Sequence, residues 1–151
     1  MLRFILKIFL ITIISINSAF AQVNISFGNS GVSHEDTLHI GDTIHFNFWI
    51  INQSNSILTD SLSIECETFD FNNNSISSMS IGEYYNTNLS LDVGDSLSVS
   101  ISEVVTYASY VLGDNIIVIW PAFLNANGIM DTSFTNIHIL DSVSTSVKLI
   151  E

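Results

Sequence analysis

The chain of 151 residues is long enough for one domain with a core of its own, needing no metal or disulfide staple. Three Lys and Arg stand against fifteen Asp and Glu, a formal net charge of −12, which argues against binding nucleic acid or anionic lipid through neutralised phosphates. The single cysteine, Cys66, excludes an intramolecular disulfide.

Residues 1–21 read as a signal peptide. Arg3 and Lys7 form a short positive region, Ile8 to Ile16 an apolar run, and Ala19-Phe20-Ala21 the small–x–small pattern of a cleavage site, with Gln22 as the new N-terminus. The run is too short to cross a bilayer, and no stop-transfer cluster follows it, so no membrane insertion is expected after cleavage. Cleavage leaves Lys148 as the one basic residue against fifteen acids, a net charge of −14. The expected location is the extracellular space, the cell surface or the periplasm of a bacterium, and this acidity is compatible with a cationic partner.

The domain spans residues 22–140. Ser, Asn, Ile, Thr and Val dominate it, and that composition favours strands and turns over helices. Strands are expected at Val23–Phe27 and Leu38–Ile40. Thr43–Ile51 alternates with Ile44, Phe46, Phe48 and Ile50 inward and His45, Asn47 and Trp49 outward. Ser61–Glu67 repeats the pattern through Leu62, Ile64 and Cys66, which makes Cys66 a buried, inert thiol. Phe69 and Phe71 fall out of phase with it, which predicts a bulge or a strand switch. Ser75–Ile81 and Tyr84–Leu91 give one or two further strands, and Ser96–Ile101 a half-buried one. Ile116–Trp120 is apolar on both faces, as in a central strand covered on each side, with Trp120 in the core and Pro121 closing the strand. Phe134–Leu140 follows, with a second phase slip between Phe134 and Ile137. Residues 141–151 read as a polar linker or tail.

Gly41-Asp42, Gly94-Asp95 and Gly113-Asp114 each precede a strong strand, where glycine permits the positive φ of a tight turn. Seven to nine short strands punctuated this way predict an all-β, immunoglobulin-like antiparallel sandwich. Three stretches carry a more specific likeness: Gly41-Asp42-Thr43 through Asn52-Gln53-Ser54, Leu91-Asp92-Val93-Gly94-Asp95-Ser96, and Gly113-Asp114-Asn115. Together they resemble the CARDB and related immunoglobulin-like modules of bacterial surface and secreted proteins. Gly128-Ile129-Met130-Asp131-Thr132 departs from that pattern. The resemblance implies an adhesive, spacer or partner-binding unit and no catalytic residues.

The residues themselves agree on chemistry. No nucleophile elbow, zinc-protease motif, phosphate loop or Cys/His pair occurs, so neither an enzyme nor a cofactor is expected. His34-Glu35-Asp36 with His39 could gather metal ligands, but the spacing fits no standard site, and no D-x-D-x-D-G calcium loop exists. Glu65 and Glu67 share one strand face, as suits a solvated surface as well as acid–base work. Aromatics give the best binding hint: Trp49, Tyr84 and Tyr85 are candidate ligand-binding residues, able to stack on sugars. The sequence therefore predicts a non-enzymatic adhesion or protein-interaction module, with a carbohydrate-binding module built on those three rings as the alternative.

Overall fold

The computed structural model describes residues 23–28, 31–126 and 128–142, without the side chains of Glu83, Tyr84 and Ile129. The signal peptide over 1–21 and residues 143–151 of the tail lie outside the described residues. Nine strands form: β1 Val23–Phe27, β2 Thr37–His39, β3 Thr43–Asn52, β4 Leu58–Asp70, β5 Ser75–Leu91, β6 Ser96–Val104, β7 Gly113–Phe123, β8 Gly128–Met130 and β9 Ser133–Leu140. They build a four-stranded sheet in the order β6-β3-β1-β8 and a five-stranded sheet in the order β2-β9-β7-β4-β5. Pairing is antiparallel except at β1–β8 and β2–β9. This is the expected immunoglobulin-like sandwich.

Strict alternation places the core between the sheets. Ile44, Phe46, Phe48 and Ile50 of β3 and Val99 and Ile101 of β6 face Leu62, Ile64 and Cys66 of β4, Ile117 and Ile119 of β7, and Ile137 and Ile139 of β9. The β3–β6 ladder runs from Thr43↔Val104 to Ile51↔Ser96 without a slip, because both strands bury one face and expose the other. The turn into β6 uses Gly94 at φ 82°, a conformation that a Cβ would strain.

The chain leaves β1 in one sheet and reaches β2 in the other through residues 31–36, which are fastened on both sides. Ser33 and Asn47 exchange backbone hydrogen bonds at 2.9 Å, and the His138 N–H donates to the Asp36 carbonyl at 2.9 Å. The Glu35 carboxylate accepts from the His45 backbone N–H at 2.8 Å and meets its Nδ1 at 2.9 Å, while His34 Nε2 pairs with the Thr135 hydroxyl. Three buried polar side chains fix loops in the same way. Asn52 donates to the Ser56 and Leu91 carbonyls, and Asn115 to the Val111 and Gly113 carbonyls. Asp60 accepts from the backbone N–H groups of Ser61, Asn125 and Ala126 and from the Asn125 amide.

Several strand expectations change. Thr68 takes the inward position after Cys66, so the alternation of β4 continues and Phe69 turns outward; the irregularity at Thr68/Phe69 lies in the pairing with β5. Ser75–Leu91 is one strand. Gly82 lets it pass over Ile101, whose Cδ1 would lie 2.8 Å from an added Cβ. Pro121 does not close β7, which runs on to Phe123: pairing with β9 stops at Ile119↔Ser133, so no neighbour on that side requires the missing N–H. β9 has no slip, since its ladder to β7 is continuous and Phe134 simply points outward. The short β8 has no sequence signal of its own and exists by pairing with β1.

Candidate functional site

The three predicted ring residues occupy different places. Trp49 stands on the outer face of the four-stranded sheet, 48% exposed, with its Cβ 3.1 Å from the position a Cβ on Gly28 would take. Tyr85, on β5, uses its hydroxyl to accept the Ser100 N–H of β6 at 3.3 Å. That contact reaches from the five-stranded sheet to the outer edge of β6. The side chain of Tyr84 is outside the described residues. No ring contact joins Trp49 to Tyr85 among the described residues.

The histidines are held apart by their partners. His34 meets Thr135, His39 lies 3.5 Å from Asp42, His45 binds Glu35, and His138 Nδ1 lies 2.6 Å from Asp114. Among the described residues no group of three or more His, Cys, Asp and Glu side chains is arranged to hold a metal ion. Cys66 is fully buried, and burial, reinforced by the nearby charges of Glu103, Glu67 and Glu65, pushes its thiol up to about 12. At neutral pH it carries no thiolate, the form a nucleophile requires. The Glu103 carboxyl is raised by burial and sits 3.5 Å from the hydroxyl of buried Tyr110, whose own ionisation burial also opposes.

The richest surface is one that the sequence did not single out. On the outer face of the five-stranded sheet, β7 presents Ile116, Val118 and Trp120, all half-buried. Phe69 of β4 pairs with Ile116, Glu67 with Val118, and Glu65 with Trp120, while Phe134 of β9 pairs with Val118 and is 71% exposed. Directly paired residues share a face, so these side chains form one apolar stripe edged by two carboxylates. Trp120 is therefore an outward-facing residue and not a core one. An apolar run on both faces is the ordinary mark of a strand covered by two layers. Among the described residues no second layer covers the outer half of that run.

At one end of the stripe is a shallow trough of about 270 Å³. Ser61, Ser63 and Glu65 of β4 and Ser80 of β5 wall it, and Ala122, Phe123 and Leu124 complete it. Register shifts between β4 and β5 at Asp60/Leu62, Leu62/Ile64 and Ile64/Glu65 fall beside it and interrupt the regular ladder there. Glu65 stands at the junction of stripe and trough.

No family model matches the sequence, and no curated protein matches it significantly. Solved structures share its architecture. The DNA glycosylase AlkC of Pseudomonas fluorescens, solved bound to DNA containing an abasic site analogue, superposes with a TM-score of 0.55 at 9% identity, over 83% of this chain and 33% of its own. This chain thus spans about a third of that enzyme. The C-terminal domain of Wzt gives 0.53 at 12% identity, covering 80% of this chain and 79% of that domain. The CARDB domain of a Pyrococcus furiosus protein gives 0.51 at 9% identity, covering 80% and 98%. At these identities the likeness is one of fold, and the fold is that of a CARDB-like β-sandwich.

Proposed function

We propose that this CARDB-like sandwich is a non-enzymatic protein-interaction module of the bacterial cell envelope, docking a partner protein through the outer face of its five-stranded sheet. The observation that carries the reading is the stripe of Phe69, Ile116, Val118, Trp120 and Phe134 on a face that no other layer of the described domain covers. Aromatic anchors such as Trp120, set in apolar surroundings with a polar rim, carry much of the energy of protein–protein contacts. Export is supported by the leader-like residues 1–21 and by the cleavage pattern Ala19-Phe20-Ala21. A raised thiol at Cys66 and the dispersal of the histidines favour binding over chemistry.

A photo-crosslinking residue placed at Phe134, in cells producing the protein, should give a discrete adduct with a second protein in the envelope. The same residue at Trp49, on the opposite sheet, should give none. Adducts from position 49 and none from position 134 would move the interface to the four-stranded sheet and favour the carbohydrate- or partner-binding reading built on Trp49 and Tyr85.

A further inference from the structure

Resting on that docking face, we infer that the trough beside Glu65 receives an arginine side chain from a basic segment of the partner. The polar wall is three serines, Ser61, Ser63 and Ser80, with the Glu65 carboxylate, and two of the hydroxyls already donate to backbone carbonyls. The Ser61 hydroxyl donates to the Thr87 carbonyl at 3.0 Å, and the Ser80 hydroxyl to the Ile64 carbonyl at 3.4 Å. The Ser61 proton is thereby engaged, the longer Ser80 contact turns its proton the same way, and both oxygens keep lone pairs to offer. The Glu65 carboxylate, an acceptor only, stands beside them.

Such a wall asks for a ligand that only donates. A guanidinium has five N–H donors and no acceptor, and its planar fork matches a carboxylate. Trp120, directly across the ladder from Glu65 on the same face, offers a ring on which that plane can stack. Ala122, paired with outward-facing Ser63, and the 69% exposed Leu124 give apolar surface for the methylene stem. A neutral sugar fits less well, because each of its hydroxyls also seeks a donor, and the Ser61 and Ser80 hydroxyls already donate to backbone carbonyls. An anion would meet a domain whose described residues include no Lys or Arg. For the same reason, no lysine or arginine of the described domain competes for Glu65.

The protein has two tryptophans, so Trp49→Phe leaves Trp120 as the sole tryptophan, whose emission is followed by excitation at the red edge where the four tyrosines do not absorb. In that background, at about 0.15 M salt, three probes are titrated: a blocked Thr-Arg-Thr-Arg-Thr-Arg-Thr peptide, its lysine counterpart, and cellohexaose. The arginine peptide should shift Trp120 emission saturably and bind more tightly than the lysine peptide. Glu65→Gln should weaken it about tenfold or more, whereas Asp92→Asn, the same charge change in the exposed β5–β6 turn, should leave it unaltered. Leu124→Arg places a cation on the exposed rim and should abolish the shift, and it serves as a second variant should Glu65→Gln fold poorly. Equal losses from Glu65→Gln and Asp92→Asn would reduce the effect to diffuse charge attraction and overturn the inference. So would a lysine peptide as tight as the arginine one, or a response to cellohexaose alone. A position-134 adduct that forms equally well in Glu65→Gln leaves the docking face standing and overturns only the arginine assignment, whereas no adduct at position 134 in the protein with Glu65 intact overturns the docking face itself.

Discussion

At the scale of single residues, the polar side chains of this domain act chiefly as fasteners. Burial raises the proton affinity of the Asp60 carboxyl, but the N–H groups of Asn125, Ser61 and Ala126 and the Asn125 amide outweigh it and hold the group below its ordinary value. Asp60→Ala would leave those donors without their acceptor and should lower unfolding stability by about 3 kcal/mol in urea denaturation. Glu35 is likewise held low, foremost by the His45 backbone N–H. For both groups the unfolded chain binds the proton more tightly, so their stabilisation is complete above the ordinary carboxylate range and is lost as pH falls through their folded values. Glu103 behaves in the opposite sense. Burial raises it, the native state keeps its proton longer, and ionisation weakens the fold as pH climbs above the ordinary value of 4.5. Urea unfolding across a pH series should therefore show Glu103→Gln losing less stability than wild type as pH rises through that window. Parallel curves for the two proteins would show that Glu103 makes no such contribution.

At the scale of strands, legibility followed burial on one face. β3, β4 and β6 were readable because each buries alternate residues and solvates the others. The Gly41 and Gly94 turns were readable because their φ angles of 98° and 82° are costly for other residues. β7 was legible as a strand, but its outward residues were not. Ile116, Val118 and Trp120 look the same in sequence whether a second layer covers them or not, and this hid the candidate face. Nor does a sequence tell which serine hydroxyls already donate to backbone carbonyls, as Ser61 and Ser80 do. β8 is three residues held by a close parallel approach: a Cβ on Gly128 would fall 2.0 Å from the Val23 carbonyl oxygen. Gly128→Ala should detach β8 from β1. Hydrogen exchange should then speed at Asp131, whose N–H donates to the Ile25 carbonyl at 2.9 Å, while the β3–β6 amides keep their protection. Unchanged exchange at Asp131 would show that the pairing survives the substitution.

At the scale of the molecule, charge and architecture work together. Residues 22–151 carry fifteen acids and one lysine, a net charge of −14, so the compact state repels itself. Raising the salt from about 0.01 M to 1 M should raise the thermal midpoint by screening that repulsion, and a falling midpoint would point to the carboxylate–histidine contacts as the dominant electrostatic contribution. The same field would draw a basic partner toward the domain and leave the apolar stripe to hold it. The sandwich also separates its two tryptophans, placing Trp49 on the outer face of one sheet and Trp120 on the outer face of the other. Each therefore reports on its own face. Oxidative footprinting of the purified domain should label both rings. On intact producing cells, Trp120 should become protected while Trp49 stays reactive. Protection of Trp49 alone, or of neither ring, would contradict docking through the five-stranded sheet.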